Sequence, residues 1–240
     1  YIMDFPYISI CTPTYNRNKF LPLMIKNLNL QQYPQEKLEW VVLDDGDDRM
    51  IKSKEDYIEI EKLIYPCKLS YHYYPKRMTI GVKRNLLVKK SKYKIIASMD
   101  SDDIYNQNYL AYSVGMLLYN KFGIVGSNQM LFLYPYHNWK ITGIQCGEKR
   151  QMHEACMVFT KKHFYAMGGF QTKGVGEGCK MVDGMNPKTV GLTDIRQVMI
   201  CICHQDNTVN KDRFLESEDI NEKVSEGFKK MISMILKIED

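Results

Sequence analysis

Three short apolar runs in the first hundred residues stop abruptly at polar loops, and this repeated stop constrains the fold more than any other feature. Tyr7 to Cys11 runs into Thr12-Pro13-Thr14-Tyr15-Asn16-Arg17, Trp40 to Leu43 into Asp44-Asp45-Gly46-Asp47-Asp48, and Lys94 to Met99 into Asp100-Ser101-Asp102-Asp103. Runs of this length without apolar–polar alternation read as strands buried on both faces, as in a parallel sheet. Helical patterns lie between them, from about Lys19 to Gln31 and from Ile80 to Lys90, with a third strand near Leu69 to Tyr74. Val82, Leu86 and Leu87 fall roughly on one helical face. Strand, loop and helix thus repeat as in a doubly wound, Rossmann-like α/β sheet with right-handed crossovers. Ligands bind such sheets beyond the carboxyl ends of the strands, so the three polar loops are expected to converge.

The second half is less regular. Gly123 to Val125, Met130 to Tyr134, Ala155 to Phe159 and Val198 to Cys203 are apolar and would add strands to the sheet. From Glu216 onward a charged amphipathic helix offers Val224, Phe228, Met231, Ile232 and Ile235 for docking. The 240 residues read as one domain, with a regular half at 1–103, a mixed half at 104–215 and a helix at 216–240.

Composition narrows the function. Hydrophobic residues at 45% and charged residues at 25% suit a globular protein with a sizeable core. The net charge of +5 is spread without Lys/Arg blocks, which excludes a nucleic-acid partner and leaves mild attraction for a phosphorylated ligand or an anionic membrane face. Seven cysteines lie scattered, mostly in apolar runs and never as CxxC, so a reducing, cytoplasmic setting is expected rather than a zinc or redox centre. No apolar run approaches ~18 residues and no leader pattern is present, so neither a transmembrane segment nor a signal peptide is expected.

The chemistry concentrates at the strand mouths. Carboxylates at Asp100 and Asp102 are suited to hold Mn²⁺ or Mg²⁺ against a diphosphate; alternatively, Asp102 or Asp103 caps a following helix. Tyr15 can contact a base, and Asp44 or Asp45 can accept from a base or ribose. Singly these are an ordinary turn and a solvated acidic loop; in this order they point to a nucleotide.

Taken together, Ser9-Ile10-Cys11-Thr12-Pro13-Thr14-Tyr15-Asn16-Arg17, Val42-Leu43-Asp44-Asp45-Gly46, Gly81-Val82-Lys83-Arg84-Asn85, Met99-Asp100-Ser101-Asp102-Asp103 and Gly168-Gly169-Phe170 resemble the inverting glycosyltransferases of family 2. The resemblance implies a GT-A fold, a nucleotide-binding first half, an acceptor-binding second half and a nucleoside diphosphate sugar donor, UDP-linked first of all. It implies that Thr12, Pro13, Tyr15 and Arg17 lie at the nucleotide, that Asp44 or Asp45 bonds base or ribose, and that Arg84 approaches the nucleotide. Asp100 and Ser101 would lie against the ribose, and Asp102, with Asp100, would bind the metal. His204, in Cys203-His204-Gln205-Asp206-Asn207, resembles a late His-x-x-Asn segment and is a further candidate for metal or phosphate; as an alternative it simply caps a strand. The resemblance implies an acidic general base roughly eight positions after Gly168-Gly169-Phe170. Glu177 stands there, but this chain reads Gly176-Glu177-Gly178 in place of the usual paired Glu-Asp, and Asp183 is the alternative. His153 and Glu154, before another core strand, are candidates to face the donor sugar or acceptor. The implied acceptor is a hydroxyl of a glycan, glycolipid or protein-linked glycan. Two rivals share the pattern: a nucleotidyltransferase acting on a sugar phosphate, and a non-catalytic nucleotide-sugar-binding module. A dinucleotide-binding dehydrogenase is disfavoured, because no Gly-x-Gly-x-x-Gly follows the first strand.

Overall fold

The computed structural model describes residues 5–147, 152–183 and 187–238. In chain order the strands are β1 (Ile8–Thr14), β2 (Leu38–Asp44), β3 (Lys68–Tyr73), β4 (Ile95–Ser98), β5 (Ile104–Tyr105), β6 (Ile124–Gly126), β7 (Gln129–Tyr134), β8 (Lys140–Gln145), β9 (Val158–Thr160), β10 (Val190–Leu192), β11 (Met199–Ile202) and β12 (Glu218–Asp219). The helices are α1 (Leu21–Leu30), α2 (Lys54–Ile64), α3 (Ile80–Lys90), α4 (Tyr109–Tyr119), α5 (Lys161–Met167), α6 (Cys179–Val182) and α7 (Glu226–Leu236).

β1 and β2 are buried at every position, largely apolar and with the buried Ser9 hydroxyl donating to Glu39 at 2.6 Å, and both are interior strands of a seven-stranded sheet. Its order is β10-β6-β9-β4-β1-β2-β3, parallel except for β9, which runs antiparallel to both β4 and β6. Register fixes the site. Thr14 lies opposite Asp44, Cys11 lies opposite Ser98, and the three polar loops therefore open on the same edge. Local sequence supports each connection. Ser53 and Asp56 form a reciprocal capping box at the start of α2, and Pro22 occupies the first turn of α1. α5 ends at Gly168, followed by Gly169, with φ of +72° and +76°, a left-handed corner that side chains disfavour.

The second half departs from expectation. Only β6 and β9 of the anticipated strands join the main sheet, with β10 added at its edge. β7 and β11 instead build a second sheet, ordered β12-β8-β7-β11-β5. The C-terminal helix starts at Glu226 rather than near Glu216, because Glu218–Asp219 pairs with β8 and Ile220 packs where Gly143 leaves room. The helix expected from Lys19 opens as a 3₁₀ turn, Asn18–Phe20, before α1. Asp102 and Asp103 cap no helix: β5 follows them, and α4 starts only after Asn108. One buried cluster runs from Ile8 and Trp40 through Leu110 and Phe132 to Ile232, so both sheets and α7 share a core.

Candidate active site

Three consecutive residues of α3 reach three different parts of the site. Lys83 donates to Asp45 Oδ1 at 2.7 Å and to the Thr14 carbonyl at 3.1 Å. Arg84 grips Asp100 with both terminal nitrogens, each bond 2.9 Å, while its Nε donates to Glu177 Oε1 at 2.8 Å. Asn85 closes a two-way bond with the Phe170 backbone, 2.9 Å to its amide and 2.8 Å to its carbonyl. Close approach of the loop bearing Glu177 depends on Gly81, whose amide donates to the Lys173 carbonyl at 3.2 Å. A Cβ there would collide with the Gln171 carbonyl oxygen and press on Glu177. Gly81→Ala is therefore expected to cost about 1–3 kcal/mol in urea unfolding, because backbone must move to admit the methyl. An unchanged midpoint would contradict this packing.

These charges form a compensated set, buried except at Asp100, which is partly exposed to the cleft. Arg84 is 5% and Glu177 4% exposed. Burial works against the Arg84 cation, yet Asp100 and Glu177 outweigh it and hold its pKa above the usual value. For Lys83 burial prevails and pulls the ammonium below its usual range, with Asp45 offsetting only part.

The acidic loop after β4 is held from the other side. Asp102 Oδ2 lies 3.2 Å from Arg17 Nε and 3.0 Å from His204 Nε2. Burial would raise the Asp102 pKa, but His204 and Arg17 hold it well below the carboxylate range. His204 also meets Asn207 at 2.9 Å and leans on the Phe20 ring, and its Nδ1 is buried without a hydrogen bond. Asp103 turns inward to accept from the Ile202 amide at 3.1 Å, and burial lifts it to about 7.

Between these loops lies a cleft of about 570 Å³ lined by Pro13, Tyr15, Arg17, Arg84, Asp100, Ser101, Asp102 and Glu177. His153, Glu154 and Arg77 line it too, the last stacking its guanidinium 4.2 Å from the Tyr15 ring centroid. Several expected residues stand elsewhere. Thr12 does not line the cleft, because its hydroxyl accepts from the Trp40 indole at 2.8 Å inside the sheet. Asp44 shapes its loop, accepting from Gly46 and Met50 amides and the Tyr71 hydroxyl. Asp45 is committed to Lys83 and to the Met78 amide at 2.6 Å. Asp183 is exposed at the end of α6, away from the cleft. Asp100, Asp102 and His204 do not form one ligand set, since both Asp100 oxygens face Arg84; among the described residues no three His, Cys, Asp or Glu side chains converge. Among the described residues Asp102 Oδ1 nevertheless accepts no hydrogen bond, and such a carboxylate oxygen beside a histidine suits a hard ion that takes its other ligands from phosphates.

Burial pulls the His153 imidazole down to about 4 from its ordinary 6.5. As pH falls through that interval the unfolded chain takes up the proton first, so the stability tied to neutral His153 is full above 6.5 and is lost toward 4. Asp103, raised from 3.8 to about 7, gives the opposite slope. The informative quantity is thus the melting difference between wild type and His153→Gln, expected to shift against the wild type as pH drops from about 7 to 4. A constant difference would remove the buried neutral imidazole from the account.

Comparison with known proteins meets this geometry. The sequence profile described as "Glycosyl transferase family 2" matches residues 9–171. An uncharacterized glycosyltransferase of Rickettsia bellii (strain RML369-C) is 31% identical over 115 residues, 48% of this chain and 16% of that protein. Among solved structures, the mannosyltransferase PcManGT from Pyrobaculum calidifontis, in complex with GDP-Man and Mn²⁺, superposes with a TM-score of 0.65 at 17% identity, covering 88% of this chain and 59% of its own. S. aureus TarS 1–349 in complex with UDP-GlcNAc gives 0.61 at 14% identity, covering 95% and 65%. The chain thus spans less than two thirds of each of these relatives, and the structural likenesses establish a GT-A fold.

Proposed function

The chain belongs to glycosyl transferase family 2, and we propose that it is a glycosyltransferase that moves a sugar from a nucleoside diphosphate donor to an acceptor hydroxyl by direct, inverting displacement. The observation that carries this reading is the single cleft in which Tyr15, Arg84, Asp100 and Asp102 meet at the strand mouths. Tyr15 and Arg77 offer a flat, cationic face to a base, with the Asp45–Lys83 pair behind it. Asp100, oriented by Arg84, lies toward the ribose. A UDP-sugar is the first donor to test, in keeping with the family's commonest usage.

Asp102, with His204 beside it, would hold Mn²⁺ or Mg²⁺ jointly with the diphosphate. Such an ion supplies positive charge that steadies the departing diphosphate. Arg17, at the same carboxylate, adds a fixed cation to that end of the cleft. The acceptor oxygen attacks the anomeric carbon opposite the leaving group, and a carboxylate of the cleft takes its proton. The acceptor is a hydroxyl of a glycan, glycolipid or protein-linked glycan, and the work is cytoplasmic. Among the described residues no helix is long and apolar enough to cross a membrane.

Product analysis tests the reaction class. Incubated with a panel of nucleotide sugars and Mn²⁺, the protein is expected to release nucleoside diphosphate. Release of pyrophosphate from nucleoside triphosphate and sugar phosphate would instead establish a nucleotidyltransferase, and turnover of neither kind would leave a binding module.

A further inference from the structure

Besides Asp100 and Asp102, two glutamates line the cleft, and they are not equivalent. Glu177 is committed: its Oε1 accepts from Arg84 Nε at 2.8 Å, and the same guanidinium is clamped on Asp100. A proton acceptor tied to a permanent cation is a poor base. Glu154 has no such tie. Its Oε1 accepts from the Gly178 amide at 3.1 Å, and among the described residues no cation lies within ion-pair distance of it. Its position is also specific, because a Cβ on Gly178 would sit 2.5 Å from Glu154 Cγ and 3.1 Å from its Oε1. The Glu154 carboxylate therefore fills the place a side chain at 178 would take, next to Glu177 on the same loop.

We propose that Glu154 is the general base of sugar transfer and that Glu177 is a positioning residue acting through Arg84. This assignment rests on the transferase reading above. In the step, the acceptor hydroxyl gives its proton to Glu154 while its oxygen bonds to the anomeric carbon. The bond from that carbon to the diphosphate oxygen breaks, and its electron pair leaves with the nucleoside diphosphate. Burial and the neighbouring Glu177 charge hold Glu154 above the usual carboxylate range, the direction that strengthens a base at neutral pH. The only sequence signal for this role was a Glu before a core strand; the absence of a side chain at 178 becomes meaningful once the two segments are seen together.

The test compares an acceptor that must lose a proton with one that has none. Wild type, Glu154→Gln and Glu177→Gln are incubated with Mn²⁺ and UDP-GlcNAc, UDP-glucose or GDP-mannose, with water or azide as acceptor. Glu154→Gln is expected to lose donor hydrolysis by about 10²-fold or more while forming glycosyl azide near the wild-type rate. Glu177→Gln is expected to slow both reactions equally. As a check independent of that variant, Glu154→Ala combined with Gly178→Asp returns a carboxylate to the same place and is expected to recover hydrolysis lost in Glu154→Ala. Wild-type hydrolysis by Glu154→Gln, or a water–azide split in Glu177→Gln, would overturn the assignment. Failure of the wild type to release nucleoside diphosphate from any donor would overturn the transferase reading itself, and this assignment with it.

Discussion

Replacing Arg84 by leucine is expected to destabilise the fold by about 3–5 kcal/mol and to abolish sugar transfer, because it leaves the buried Glu177 carboxylate and the partly exposed Asp100 without their shared cation. Asp100 loses both of its guanidinium bonds, and Glu177 loses its only one. The lost contacts are three charge-assisted hydrogen bonds at 2.8–2.9 Å, the one to Glu177 buried and the two to Asp100 part-buried at the cleft. For a chain of this size the penalty corresponds to a fall in melting temperature of roughly 10 °C. Lysine is not expected to rescue it, since one ammonium cannot reproduce a planar fork that serves two carboxylates at once. Urea unfolding of wild type, Arg84→Leu and Arg84→Lys checks this. A stable, active Arg84→Lys would show that charge alone suffices and that the fork geometry is incidental.

The second large effect concerns chemistry and leaves the fold in place. Asp102→Asn keeps the shape of the side chain but removes the charge that Arg17 and His204 surround. It is expected to lower nucleoside diphosphate release by about 10³-fold at saturating Mn²⁺, the scale of a lost electrostatic clamp on the leaving group. Melting should fall too, because the ionised Asp102 is stabilised by His204 and Arg17, but the fold should persist because hydrogen bonds to the amide oxygen remain possible. Full activity in Asp102→Asn would remove this residue from the leaving-group site.

The contrast between these residues shows what the sequence made legible. β1, β2 and β4 end in polar loops, and apolar runs followed by acidic clusters are visible without coordinates, so the sheet edge and Asp100–Asp102 could be anticipated. The buried ion pairs of α3 were harder to see. Lys83 and Arg84 stand in a helix with apolar neighbours, and only a charge on its buried face, facing Asp45 or Asp100 from elsewhere in the chain, betrays them. Thr12 and Asp44 misled for a related reason. Each occupies a loop or strand end of the right type, but whether a polar side chain faces ligand or its own backbone depends on Trp40, Met50 and Tyr71. The second sheet was missed because β7 and β11 look like any other apolar strands, and sheet membership is decided by long-range pairing with β8 and β5.

Calorimetric titration with UDP, GDP and dTDP, each with Mn²⁺ and with chelator, tests the central claim most directly. One nucleoside diphosphate is expected to bind in the presence of Mn²⁺ and to lose most of its affinity when the ion is removed. Binding of none of them, with or without Mn²⁺, would contradict a nucleotide-sugar donor site in this cleft.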